Sequence, residues 1–142
     1  MSDATSAETR YELSRRAFRA ARLRAWLDTA RDARAVIREG KAAIRACCAS
    51  TGMSVQTLRR WAFAADRFRI EDMDAFAEWE DSRGRALSIW HLVELARLPR
   101  NVRIDVLHGM QLTGWSLVKL REIVRARKCR PGTSGPVPTV SD

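Results

Sequence analysis

The stretch Lys41-Ala-Ala-Ile-Arg-Ala-Cys-Cys-Ala-Ser-Thr-Gly-Met-Ser-Val-Gln-Thr-Leu-Arg-Arg-Trp61 decides how the chain folds. Gly52 divides it, and glycine adopts the positive φ of a tight reversal at little cost. Ser54 follows, with a hydroxyl able to accept from the unpaired amides that open a helix. Two helices crossing steeply need a small residue where they touch, and Cys48 supplies one four residues before the glycine. Leu58 and Trp61, three apart, share the buried face of the second segment. Ile44 and Met53 complete a small core. The stretch therefore predicts a helix from Lys41 to about Ala49, a turn, and a helix from Val55 to about Ala65.

Upstream, Glu8 to Glu39 contains no Pro or Gly and is rich in Ala, Arg and Leu. Leu13, Ala20 and Leu27 recur at intervals of seven, as do Leu23, Ala30 and Ile37, which predicts an apolar stripe on a helix. Arg15, Arg19 and Arg22 are expected on the opposite side. One long helix fits, or two with a break at 28–32. Ala at so many seam positions argues against a true coiled coil and for a stripe covering the core or a dimer partner. Gly40 ends the segment.

Downstream, 72–81 predicts an acidic helix with Met73, Phe76 and Ala77 on one face, broken at Arg83-Gly84. Ser88 caps the next helix, which stops at Pro99 because the residue before proline avoids helical geometry. A helix from about Arg100 to Met110 follows, then a turn and a last helix, capped by Ser116 and reaching about Lys128. The segment 131–142 holds three of the four prolines and reads as a flexible tail. No strand pattern competes. The expected fold is all-α and multi-helical: a long Arg-rich helix in 1–40, a compact unit in 41–70, a second helical half in 71–128 and a tail in 129–142.

Charge is unevenly spread. The net of +9 divides into +8 over residues 1–70, −5 over 71–96 and +6 over 97–142. Basic blocks of this size favour a polyanionic partner, and the acidic block is expected to face away from it. Only three of the 26 basic residues are lysine, so a GC-rich genome contributes to the arginine excess.

The 41–61 stretch resembles the helix-turn-helix of bacterial regulators. The resemblance implies that the second helix enters the major groove of duplex DNA, with exposed early residues at the base edges. Ser54, Gln56, Thr57, Arg59 and Arg60 are the readers so implied, Gln suiting adenine and Arg suiting guanine. Lys41 and Arg45 would hold phosphates. The segment Thr51–Trp61 also aligns without gaps to Thr113–Ile123, sharing Thr, Gly, Ser, Leu and Arg. This predicts a second helix-turn-helix-like unit near the C-terminus, exposing Lys119, Arg121 and Arg125, with Glu122 unfavourably close to a groove. Leu95-Ala-Arg-Leu-Pro-Arg-Asn-Val102, with Leu107, Gly109 and Leu112, is similar to the helical part that follows the helix-turn-helix in ParB- and KorB-type plasmid proteins. The spacing departs from that family and its arginine-pair nucleotide motif is not evident, so only a DNA-binding helical scaffold is implied.

The expected function is a sequence-specific DNA-binding transcriptional regulator, cytoplasmic and nucleoid-associated, acting as a homodimer on symmetric half-sites. Two alternatives compete. The arginines at 15, 16, 19, 22 and 24 would suit an RNA groove, and the helix 72–81 with Phe76 and Trp79 would suit a protein partner. No cofactor or metal is expected, since Cys47, Cys48, Cys129, His91 and His108 lack ligand spacing. No nucleophile with a positioned base argues for an enzyme, and no segment has the length and apolarity of a membrane span.

Overall fold

A computed structural model describes residues 3–128, with side chains over 6–127; the tail expected at 129–142 lies outside the described residues. Every regular element among the described residues is helical: α1 (Asp3–Glu39), α2 (Lys41–Thr51), α3 (Val55–Arg67), α4 (Ile70–Ala77), α5 (Ile89–Leu95), α6 (Arg100–Gln111) and α7 (Leu117–Lys128). One isolated antiparallel bridge joins Glu80 and Ala86. The chain divides into two compact units, Met1–Trp79 and Glu80–Asp142. None of the described helices is long and apolar enough to cross a membrane.

In the first unit α1 runs unbroken for 37 residues, without the interruption considered at 28–32. Leu23, Trp26, Leu27, Ala30 and Ala33 are buried along it. Leu13 shares a line with Leu27 yet is 60% exposed, so the stripe leaves the core toward the N-terminal end. Two other expectations for this helix change. Arg15 and Arg19 are half-buried rather than turned to solvent, and only Arg22 of the three is fully exposed. Other arginines of α1 meet acids at 66, 74 and 78, from α3, α4 and the residue that follows α4. Arg16 pairs with Glu78 at 3.4 Å, Arg24 pairs with Asp74, and Arg34 pairs with Asp66 at 2.8 Å. Arg15 reaches Glu12 one turn back, at 2.9 Å.

The acidic helix is shorter and earlier than 72–81. It spans Ile70–Ala77 because the Asp72 carboxylate accepts from the Arg69 N–H at 2.7 Å, closing the first turn. Met73, Phe76 and Ala77 form its buried face. Phe76 meets Phe68 edge to face, with centroids 5.4 Å apart.

In the second unit α5 is almost wholly buried, from His91 to Leu95, and packs on α7. Arg103 of α6 is only 5% exposed. Its Nε donates to the carbonyls of Leu95 and Leu98 at 3.0 and 3.1 Å, supplying the donors that the end of a helix lacks.

Candidate nucleic-acid interface

The junction of α2 and α3 is built from local hydrogen bonds. Gly52 ends α2 at φ 74°, and its N–H donates to the Cys48 carbonyl at 2.9 Å. The Thr51 hydroxyl donates to the Cys47 carbonyl at 2.7 Å and accepts from the Met53 N–H at 3.2 Å. Ser54 Oγ accepts from the Thr57 N–H at 3.1 Å and lies 3.0 Å from the Thr57 hydroxyl, to which it donates. Beneath the turn, Ile44 and Leu58 pack on Ala33 of α1, with Cys48, Met53 and Trp61 at the margin. The apolar residues singled out around Gly52 therefore belong to one cluster, and α1 supplies its floor.

That anchoring decides which residues of α3 face solvent. With Leu58 turned inward, helical spacing puts Gln56, Arg59, Arg60, Phe63 and Arg67 on the opposite face. Gln56 and Arg59 are exposed, while Thr57 and Arg60 are half-buried. Ser54 is exposed, but its hydroxyl is engaged in the cap. Lys41 and Arg45 are exposed on α2. Among the described residues, Lys41, Arg45, Arg59 and Arg60 have no ion-pair partner, in contrast to the paired arginines of α1. Phe63 and Arg67 did not stand out in the sequence. The Arg67 guanidinium lies over the Phe63 ring, 4.7 Å from its centroid, and Phe63 is 41% exposed. Their i, i+4 spacing on the face of Gln56 was the available signal.

The turn between α6 and α7 repeats two of these bonds 62 positions later. The Gly114 N–H donates to the Met110 carbonyl at 2.8 Å, and Ser116 Oγ accepts from the Lys119 N–H at 3.2 Å. The surroundings differ. A Cβ on Gly52 would meet open space, whereas one on Gly114 would lie 3.0 Å from the Arg85 guanidinium. Beside Gly114, the buried Asp81 carboxylate accepts from the N–H groups of Arg83 and Arg85 at 2.9 Å, from Arg85 Nε at 3.0 Å and from the Trp115 N–H at 3.3 Å. Burial alone would raise the Asp81 pKa; these donors together outweigh it and hold the carboxyl at about 2.

Trp115 is tied further. Its indole N–H donates to the Arg85 carbonyl at 2.7 Å. His91 Nδ1 accepts from the Ser88 N–H at 3.0 Å, which places the ring proton on Nε2, facing the Trp115 carbonyl at 3.0 Å. Burial lowers the His91 pKa, which favours the neutral ring. Lys119, Arg121 and Arg125 are exposed on α7, and Arg121 Nε lies 3.7 Å from the buried Glu94, which Arg97 also reaches at 3.3 Å. Among the described residues no group of His, Cys, Asp and Glu is arranged to hold a metal ion.

No family model matches the chain, and no curated protein or solved structure matches it.

Proposed function

We propose that the first unit binds duplex DNA with α3 in the major groove and acts as a sequence-specific transcriptional regulator. The observation that carries this reading is that Gln56 and Arg59 of α3 are exposed together, and that Arg59, with the exposed Lys41 and Arg45 of α2, has no ion-pair partner among the described residues. Charges left open in this way are available to a polyanion, while those of α1 are largely neutralised within the unit. Base reading falls to Gln56 and Arg59, with Arg60 at the edge of the face, because the hydroxyls of Ser54 and Thr57 hold each other in the helix cap. Lys41 and Arg45 take phosphates.

The competing readings draw less support. An RNA groove would have to displace the acids that pair with Arg16 and Arg24. A protein partner on α4 would find Phe76 in the core, 6% exposed. On the second unit, Lys119 and Arg125 remain open, but Arg121 is drawn toward Glu94, so α7 is the weaker candidate as a reader.

The test is selection from a randomised duplex pool at physiological salt, since low salt lets net charge alone hold any sequence. The parent chain is expected to enrich a defined site, and Arg59→Ala to lose preference at one position within it. No enrichment by the folded protein would overturn the reading.

A further inference from the structure

The side of α1 turned away from α3 and α4 carries an unpartnered line of side chains. Ala7, Tyr11, Ser14, Phe18, Ala21 and Ala25 follow one another at alternating steps of four and three, the spacing of a single helical seam. All six are exposed, Tyr11 at 66% and Phe18 at 64%. The line covers about 27 Å of helix at 1.5 Å per residue. Two large aromatics held in water on such a seam mark a contact surface, and the small residues between them allow another backbone to come close.

We infer that this seam pairs antiparallel with the same seam of a second copy of the chain. The pattern selects both the occupant and its direction. When two copies run antiparallel with Ser14 of each opposite Phe18 of the other, Tyr11 of each faces Ala21 of the other. Every aromatic then meets a small residue, and each layer occurs twice, as a two-fold interface requires. In a parallel pair Tyr11 would face Tyr11 and Phe18 would face Phe18, leaving alanine on alanine elsewhere.

Charge agrees with the antiparallel register. In that register Glu8 of each copy flanks Arg22 of the other, giving two opposite-charge pairs at the ends of the seam. Among the described residues neither has an ion-pair partner; the Arg22 guanidinium lies instead over the Phe18 ring, 5.9 Å from its centroid. Arg15 and Arg24, which would otherwise meet like charge across the seam, are already paired with Glu12 and Asp74. The pairing needs no DNA and stands whether or not α3 reads a duplex.

Sedimentation equilibrium of the full chain tests the pairing. The parent is expected at twice the chain mass of 16.1 kDa. Tyr11→Glu combined with Phe18→Glu is expected to weaken dimerisation at least tenfold with helix content unchanged, since both positions are exposed. Glu8→Arg and Arg22→Glu should each weaken it, and the two together in one chain should restore it. A parent that stays monomeric at about 0.1 mM, where even weak specific association is well populated, overturns the inference. So does a dimer indifferent to Tyr11 and Phe18. Failure of the double charge reversal to restore what the single reversals lose overturns the antiparallel register.

Discussion

Trp26 and Trp61 meet edge to face, with ring centroids 6.1 Å apart and planes at 79°, and so join the long helix to the helix proposed to read DNA. Trp26 is 6% exposed, and its indole nitrogen has no hydrogen-bond acceptor. Trp26→Ala is expected to cost about 3–5 kcal/mol, the usual range for removing a buried Trp. Trp26→Phe should cost far less, because it retains much of the ring contact and removes a buried donor that has no partner. Urea unfolding followed by tryptophan emission measures both, and equal losses would contradict this account.

Ser54 and Arg59 should separate cleanly. Ser54→Ala removes the cap on α3 and is expected to lower stability by about 1 kcal/mol, with base preference unchanged. Arg59→Ala should leave stability alone and cost about 1–3 kcal/mol of specific binding. Lys41→Ala, as a phosphate contact, should reduce the salt slope of binding by about one unit at every sequence. Titrations of each variant at several salt concentrations provide the comparison.

The two glycines of the repeated turn should respond unequally to alanine. Gly52→Ala meets only the strain of φ 74°, about 1–2 kcal/mol. Gly114→Ala adds a Cβ 3.0 Å from the Arg85 guanidinium, at φ 99°, beside the Asp81 carboxylate. The second substitution is therefore expected to be the more damaging of the two, read as the larger drop in denaturation midpoint.

Acid should destabilise the second unit in two phases. Burial lowers the His91 pKa below 6.5, so as pH falls past that value the unfolded chain takes up a proton that the folded ring refuses, and stability declines. Asp81 is held at about 2 against an ordinary 3.8, so its contribution is present above about pH 4 and is lost as pH falls toward 2. Asp81→Asn should remove the lower phase. Near-ultraviolet circular dichroism during acid titration follows both, and a flat signal from pH 7 to 2 would refute the assignment.

The turn at Gly52 and the serine-capped helix starts were legible because local chemistry sets them, whereas α4 spans Ile70–Ala77 rather than 72–81 and α5 ends at Leu95, ahead of the stop expected at Pro99. Gly52 and Ser54 act within four residues of themselves, and Ser88 and Ser116 do the same. The core beneath the turn was legible for a similar reason, since Ile44 with Cys48 on α2 and Leu58 with Trp61 on α3 keep helical spacing. Long-range pairing was hidden. Asp81 read as the end of an acidic helix, yet it binds the Trp115 amide 34 residues away. Likewise the sequence alone does not reveal that the acids at 66, 74 and 78 lie along α1, where Arg34, Arg24 and Arg16 meet them. The exposed line of Tyr11 and Phe18 went unseen for the same reason: choosing the buried side of α1 requires its neighbours.

The ion pairs between α1 and the acids at 66, 74 and 78 also shape the way the first unit travels. By cancelling positive charge along the long helix, they leave Lys41, Arg45 and Arg59 of α2 and α3 among the cations without an ion pair in the described residues. If duplex DNA is the target as proposed, that imbalance would turn the unit before contact, with Lys41, Arg45 and Arg59 leading. The acids at 66, 74 and 78 would then bear on the orientation of encounter, and hence on the rate of capture, without touching the target.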